Sequence, residues 1–235
     1  GASDMILTDD NFATIIKSVL NGRNVYTNIK NAIKFLLSGN AAGILAVLYA
    51  SFMALPMPFT AVQLLFINLI TDSLPALAIS MEPSNPALIR DKPRPRDESV
   101  LNPDTLKDIS VTGLLIAIAT IIAFMIGLFS GDGLGLASEN GINTVTGSTM
   151  AFGTLCLARL WHGFNCRGKE SIVKLGLLTN IYSIGAFIIG AFLLHMLLLV
   201  PMFSSLFNVS MLAPGMIVWV WLLAFSPTLI IQIYR

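Results

Sequence analysis

The sequence predicts an all-α membrane protein, a six-transmembrane-helix bundle with both termini cytoplasmic. Three observations predict it. The 235 residues are 55% hydrophobic and only 11% charged, too apolar for a soluble domain of this length. Apolar blocks recur six times along the chain, and six crossings at roughly 20 residues each fill about half of it. The basic residues fall in alternate connections, as the positive-inside rule requires.

Taken in order, residues 1–31 are mixed in polarity and lack the charged start and short apolar run of a secretory signal peptide. They do not read as a natural beginning. From Phe12 the apolar positions Phe12, Ile15, Ile16, Val19 and Leu20 recur at helical spacing, so an amphipathic helix leads towards the first span, as a surface helix or a mechanical stalk. The six blocks are Ala32 to Leu55, Val62 to Met81, Ile109 to Phe129, Thr149 to Asn165, Leu175 to Val200 and Pro214 to Tyr234. Pro56-Met57-Pro58 leaves room only for a tight hairpin, which makes the first two helices antiparallel neighbours. The connection over 82–108 is rich in Pro, Arg and Asp and reads as solvated and irregular. The chain divides accordingly into a stalk (1–31), a helix hairpin (32–81), a polar loop (82–108) and a four-helix support (109–235).

Charge placement sets the orientation. Of 14 Lys and Arg, four (Lys17, Arg23, Lys30, Lys34) precede or enter the first block and five (Arg90, Lys92, Arg94, Arg96, Lys107) follow the second. Arg167, Lys169 and Lys174 follow the fourth block, and Arg235 closes the chain. Both termini and the basic loops therefore face the cytoplasm, with the proline hairpin, the Gly130s connection and the 201–213 loop outside. A net charge of +1 argues against nucleic acid as a partner, since phosphate binding needs a clustered basic excess. Cys156 and Cys166 lie ten residues apart in one block, about 15 Å along a helix, too far to bridge.

Only Asp72 and Arg159 place a formal charge inside the hydrocarbon zone. A charge at that depth costs about 2.5–3.5 kcal/mol on insertion scales and persists where it is paired or lines a wet path. One reading is a buried Asp–Arg pair that ties two helices. The other rests on the neighbours of Asp72. Asn68, Thr71 and Asp72 stand at i, i+3 and i+4, which places their oxygens on one helical face. Pro75 has no N–H and crowds the carbonyl of Thr71, so the segment is expected to kink or unwind there. Carboxylate, amide, hydroxyl and freed carbonyl oxygens together suit a hard cation such as calcium, whereas zinc or copper would ask for His and Cys. His162 and His195 stand alone and read as interfacial or packing residues. In the first block Gly39 and Gly43 permit close helix approach, and Asn40 between them can direct its amide oxygen at a neighbour. Gly127 to Gly131 repeats the spacing without a role.

At these residues the sequence becomes recognisable. Asn68 to Ala76, preceded by Pro56-Met57-Pro58 and Val62-Gln63-Leu64-Leu65, closely resembles the fifth and sixth membrane helices of P-type ATPases of the sarco/endoplasmic-reticulum calcium-pump type. Ala2 to Phe12 looks like the family's stretch after the phosphorylation domain, and the resemblance runs on through the tenth helix, with a bacterial source expected. It implies that Asn68 and Asp72 serve the ion site common to these pumps, and that Thr71 and Asn40 match positions of a second site. Two departures matter: the second site also needs an acid one turn after the fifth-helix Asn and another on the eighth helix, where this chain has Gly43 and Arg159. A guanidinium stays protonated and repels a divalent cation. The resemblance therefore implies one ion per cycle, with Arg159 a tethered counter-charge in the vacant cavity.

The resemblance further implies that the phosphorylated aspartate, the nucleotide site with its ATP and magnesium, and the first four membrane helices lie before Gly1. The chain by itself is then expected neither to hydrolyse ATP nor to pump. Its partners would be the lipid bilayer and the rest of the pump, in the plasma membrane. Two alternatives remain open: a secondary cation transporter with a broken helix at the bilayer midplane, and a non-transporting membrane scaffold.

Overall fold

The computed structural model describes residues 11–93, 95, 99–130 and 142–235. Expectations placed on residues 1–10, Arg94, Arg96 and the Gly130s connection with Gly131 lie outside the described residues. Six long helices carry the fold: α1 (Phe12–Phe52), α2 (Ala61–Ser80), α3 (Pro103–Phe129), α4 (Thr144–Asn165), α5 (Ile181–Leu199) and α6 (Pro214–Tyr234). No strand occurs among the described residues.

Helix α1 is one unbroken rod of 41 residues, about 60 Å long. The amphipathic stretch from Phe12 and the first apolar block are thus continuous, with no break at 31–32. The chain turns at 53–60, where Ala54 takes a positive φ of 53°. Helix α2 then starts on a capping box, Thr60 accepting from the Gln63 N–H while the Gln63 side chain accepts from the Thr60 N–H. It returns antiparallel, as the short connection required: the Asn28 side chain in the first half of α1 donates to the Glu82 carbonyl at 3.1 Å, and Ala32, Phe35 and Ile79 share a small apolar cluster with Cys166.

Five of the six helices are long and apolar enough to cross a membrane; α4 is the exception. Its 22 residues reach about 33 Å, enough for the hydrocarbon core, but Thr, Ser and Gly dilute its hydropathy. The bundle explains this composition. Nineteen of its residues are buried, and α4 touches each of the other five long helices. A helix enclosed by protein meets little lipid, so its side chains answer to their neighbours rather than to hydrocarbon.

Association in lipid depends on close packing, for which small residues are needed. A Cβ on Gly127 of α3 would stand 2.7 Å from the Gly147 Cα of α4, so the two backbones meet there. Gly127, given no role on spacing alone, is a packing residue. Gly113 likewise lets α3 pass the Ser38 carbonyl of α1, which a Cβ would approach to 3.1 Å. The core around α4 is filled by Phe124, Phe152, Met150, Leu155, Leu157 and Leu160, all nearly or wholly buried.

The connection after α2 is more ordered than its composition predicts. It carries a 3₁₀ turn at Pro86–Arg90, onto which Arg23 of α1 folds, its Nη1 donating to the carbonyls of Leu88 at 2.6 Å and Asp91 at 2.8 Å. The Asn24 side chain accepts from the Asn85 N–H at 2.7 Å. The side chains of Arg90, Asp91 and Lys92 stay exposed, as a solvated loop requires, while the stalk meets backbone groups of the connection. Arg167, counted above as a basic loop residue, is 3% exposed. Its guanidinium grips both carboxylate oxygens of Glu82, at 2.9 and 2.8 Å, and reaches Thr179 Oγ1 at 2.6 Å.

Candidate ion site

The site is built where α1, α2 and α4 meet. Helix α4 presents Arg159, 2% exposed, to two partners. It forms an ion pair with Asp72 of α2, and its Nη2 donates to Asn40 Oδ1 of α1 at 3.1 Å. Between them the guanidinium lies across Gly39: a Cβ there would fall 2.5 Å from Nε and 2.8 Å from Cζ. Gly39 is therefore the seat that lets an arginine cross α1, and any larger residue would displace it. Asn40 directs its amide oxygen at the neighbouring helix as the sequence suggested, and the group it meets is the buried cation.

The backbone of α2 around Asp72 differs from expectation. The helix does not unwind before Pro75; it widens into π turns over Ile67–Asp72 and resumes as α-helix from Ser73. A π segment absorbs the missing donor of a proline by lengthening the hydrogen-bonded ring, and such segments gather at functional sites. Pro75 itself is buried, and Gly163 of α4 accommodates it: a Cβ on Gly163 would stand 3.0 Å from the proline Cβ. The wide turns also change the angular step on which the shared face of Asn68, Thr71 and Asp72 was predicated. Thr71 is fully buried and Asp72 is 6% exposed, whereas Asn68 is exposed on the outer surface of α2. The hydroxyl of Thr71 donates to the Ile67 carbonyl at 2.9 Å, which leaves its oxygen lone pairs as acceptors.

Of the predicted site residues, Asn40, Asp72 and Arg159 are thus brought into contact, Thr71 sits beside them, and Asn68 faces outward with Asn40, which is also exposed. Gly43 opens a space: a Cβ there meets only Leu155, at 3.7 Å. Asp72, Thr71 and Asn40 offer oxygens, the donor type that suits a hard cation, with the buried thiol of Cys156 beside Thr71. No group of three or more His, Cys, Asp or Glu that could hold a metal occurs among the described residues. Gly39 does permit close approach as its spacing predicts, though what approaches is a guanidinium rather than a helix backbone; Ser38 beside it has no signal in the sequence. His162 was read as packing, and its ring does pack on Phe35, but its Nε2 also lies 2.8 Å from Ser38 Oγ. His195 behaves as expected: Nδ1 donates to the Ala191 carbonyl at 2.7 Å and Nε2 accepts from Trp221 at 3.1 Å.

An Asp–Arg pair between helices is also what a static tie would show, so similarity to other chains bears on the choice. Residues 56–235 match the family described as "Cation transporting ATPase, C-terminus". The chain belongs to this family. This cation-transporting ATPase C-terminus is 36% identical over 214 residues to the "Calcium-transporting ATPase" of Bacillus subtilis (strain 168), covering 91% of the chain and 23% of that protein. It is 39% identical over 209 residues to "Calcium-transporting ATPase 1" of Lactococcus lactis subsp. lactis (strain IL1403), covering 88% of the chain and 22% of that protein. Against the endoplasmic reticulum-type "Calcium-transporting ATPase 4" of Arabidopsis thaliana the identity is 33% over 164 residues, 69% of the chain and 15% of that protein. The chain spans under a quarter of the length of each of these three relatives.

Proposed function

We propose that the chain forms the ion-binding C-terminal membrane part of an ATP-driven calcium pump that exports one calcium ion per cycle across the plasma membrane. The observation that carries this reading is the contact of buried Asp72 and Arg159 with Asn40 where α1, α2 and α4 meet, in a chain of the cation-transporting family. Asp72, Thr71 and Asn68 supply oxygens to the transported ion. Arg159 occupies the place of a second ion, anchored by Asn40 and seated on Gly39. The exposure of Asn40 and Asn68 marks the side on which the preceding four membrane helices pack and complete the coordination, since one carboxylate and a few neutral oxygens are too few for calcium.

ATP, magnesium and the phosphorylated aspartate belong to cytosolic domains that precede this part. The unbroken α1, running from the cytosolic stalk (1–31) into Asn40, is the rod by which their movement reaches the site. The hairpin (32–81) holds the ion, the loop (82–108) braces the stalk through Arg23 and Asn24, and the remaining helices (109–235) support α4. Both termini face the cytoplasm. Pumping then requires two states of different ion affinity, which is what ATP supplies.

The full-length protein in proteoliposomes is expected to hydrolyse ATP in response to calcium with a Hill slope near one. A slope approaching two, or stimulation by another cation with none by calcium, would contradict the reading.

A further inference from the structure

We infer that His162 is a positioning residue for the ion site, fixing α1 against α4 through Ser38 and transmitting the placement of the C-terminal turn of α6. The inference rests on the calcium-pump reading above and assigns a role within it to residues that touch no ion. His162 is 1% exposed and Ser38 wholly buried. The Ser38 hydroxyl hydrogen is spent within α1, on the carbonyls of Lys34 at 2.8 Å and Phe35 at 3.0 Å. Its oxygen is therefore free to accept from His162, whose Nε2 faces it at 2.8 Å with Cys166 Sγ 3.3 Å from the same nitrogen. On the other side of the ring Nδ1 is the acceptor, facing the Asn165 amide nitrogen at 3.5 Å.

Asn165 is in turn held from α6. It donates to Thr228 Oγ1 at 3.0 Å and accepts from Gln232 Nε2 at 2.7 Å, while its carbonyl receives Arg235 Nη1 at 2.6 Å. A residue that merely filled space would not need both ring nitrogens engaged. The place of the contact gives it meaning. Arg159 and His162 are three apart on α4 and so share a face, and their partners Ser38, Gly39 and Asn40 are consecutive on α1. The Ser38–His162 bond thus sets the height and rotation of α1 one residue from where the guanidinium crosses Gly39. A small slip there would carry Asn40 Oδ1 away from Arg159 and shift the balance between guanidinium and cation at Asp72.

The test uses the full-length pump and titrates calcium against ATPase activity in wild type, His162→Leu, His162→Gln, Ser38→Ala and the His162→Leu/Ser38→Ala double variant. Leaving one buried partner unmatched predicts that half-maximal calcium rises about three- to tenfold in His162→Leu and in Ser38→Ala. The rate at saturating calcium stays within about a factor of two of wild type, since binding is altered and the chemistry is not. His162→Gln, which returns an N–H near the position of Nε2, moves the midpoint back towards wild type, and the double variant is no worse than either single one. Lower thermal stability with unchanged calcium midpoints in the variants would overturn the inference, as would a glutamine variant no better than leucine or additive losses in the double variant. Ser38→Ala and His162→Gln decide the matter if the leucine variant does not fold. If wild type itself shows no calcium stimulation the pump reading falls and this role with it; if wild type is stimulated and every variant titrates like it, only this role fails.

Discussion

In the full-length pump, Asp72→Asn is expected to abolish calcium-dependent phosphorylation by ATP while leaving a folded protein. The amide has the shape of the carboxylate and can still accept from Arg159, so the contact between α2 and α4 survives. What disappears is the negative charge that balances a guanidinium and a divalent ion in a site removed from water. Loss of one charge from a buried charge pair at a binding site costs about 2–5 kcal/mol of affinity, roughly thirtyfold or more. Phosphorylation at micromolar calcium would then fall to background. A non-transporting scaffold predicts no change in any calcium-dependent signal, and so does a site in which Asp72 serves only as a helix tie. Size-exclusion profiles of the variant in detergent separate loss of function from loss of fold.

Arg167→Ala is expected to be the most destabilising single substitution away from the ion site. Arg167 is all but inaccessible, and its five contacts join the end of α4 to Glu82 after α2 and to the turn at 176–179 before α5. Asn180 bonds the same Glu82 carboxylate at 2.6 Å and the Ala78 carbonyl at 2.9 Å. Removing the guanidinium strands a carboxylate that is largely shielded from water, a loss of about 3–5 kcal/mol. Thermal unfolding in detergent is expected to shift down by about 10 °C, at 2–4 °C per kcal/mol for a chain of this size. Arg167→Lys recovers little, because a single ammonium cannot grip both carboxylate oxygens and two carbonyls. An unchanged midpoint for Arg167→Ala would mean that the network is surface decoration.

The six apolar blocks map onto the six long helices because a bilayer imposes length and hydropathy on any helix it touches, and both are local properties of the sequence. The same logic explains the shortfall at α4, whose lipid contact is small and whose polar start at Thr144 fell outside the block that begins at Thr149. Asp72 and Arg159 stood out as charges with no local excuse, and a pair between them was one of two readings that the sequence left open; the fold brings them together across 87 positions. The details that eluded the sequence are contacts between helices distant in the chain. Nothing in the spacing of Gly39 says that a guanidinium rests on it. Pro75 signals a disturbed helix, yet whether the strain is released as a kink or as π turns depends on packing against Gly163. Arg23 looks like a solvated stalk cation and Arg167 like a loop cation until their carbonyl and carboxylate partners are brought to them by the fold.

Arg159 filling the place of a second ion is the claim from which the stoichiometry follows. Gly43 has room for a longer side chain, with only Leu155 at ordinary contact distance. Gly43→Glu together with Arg159→Glu would therefore return two carboxylates and remove the competing cation. Equilibrium binding of radiolabelled calcium, counted per phosphorylatable site in the full-length protein, tests this directly. The account predicts one calcium in the wild type and a rise towards two in the double variant. Two calcium ions bound by the wild type would contradict it.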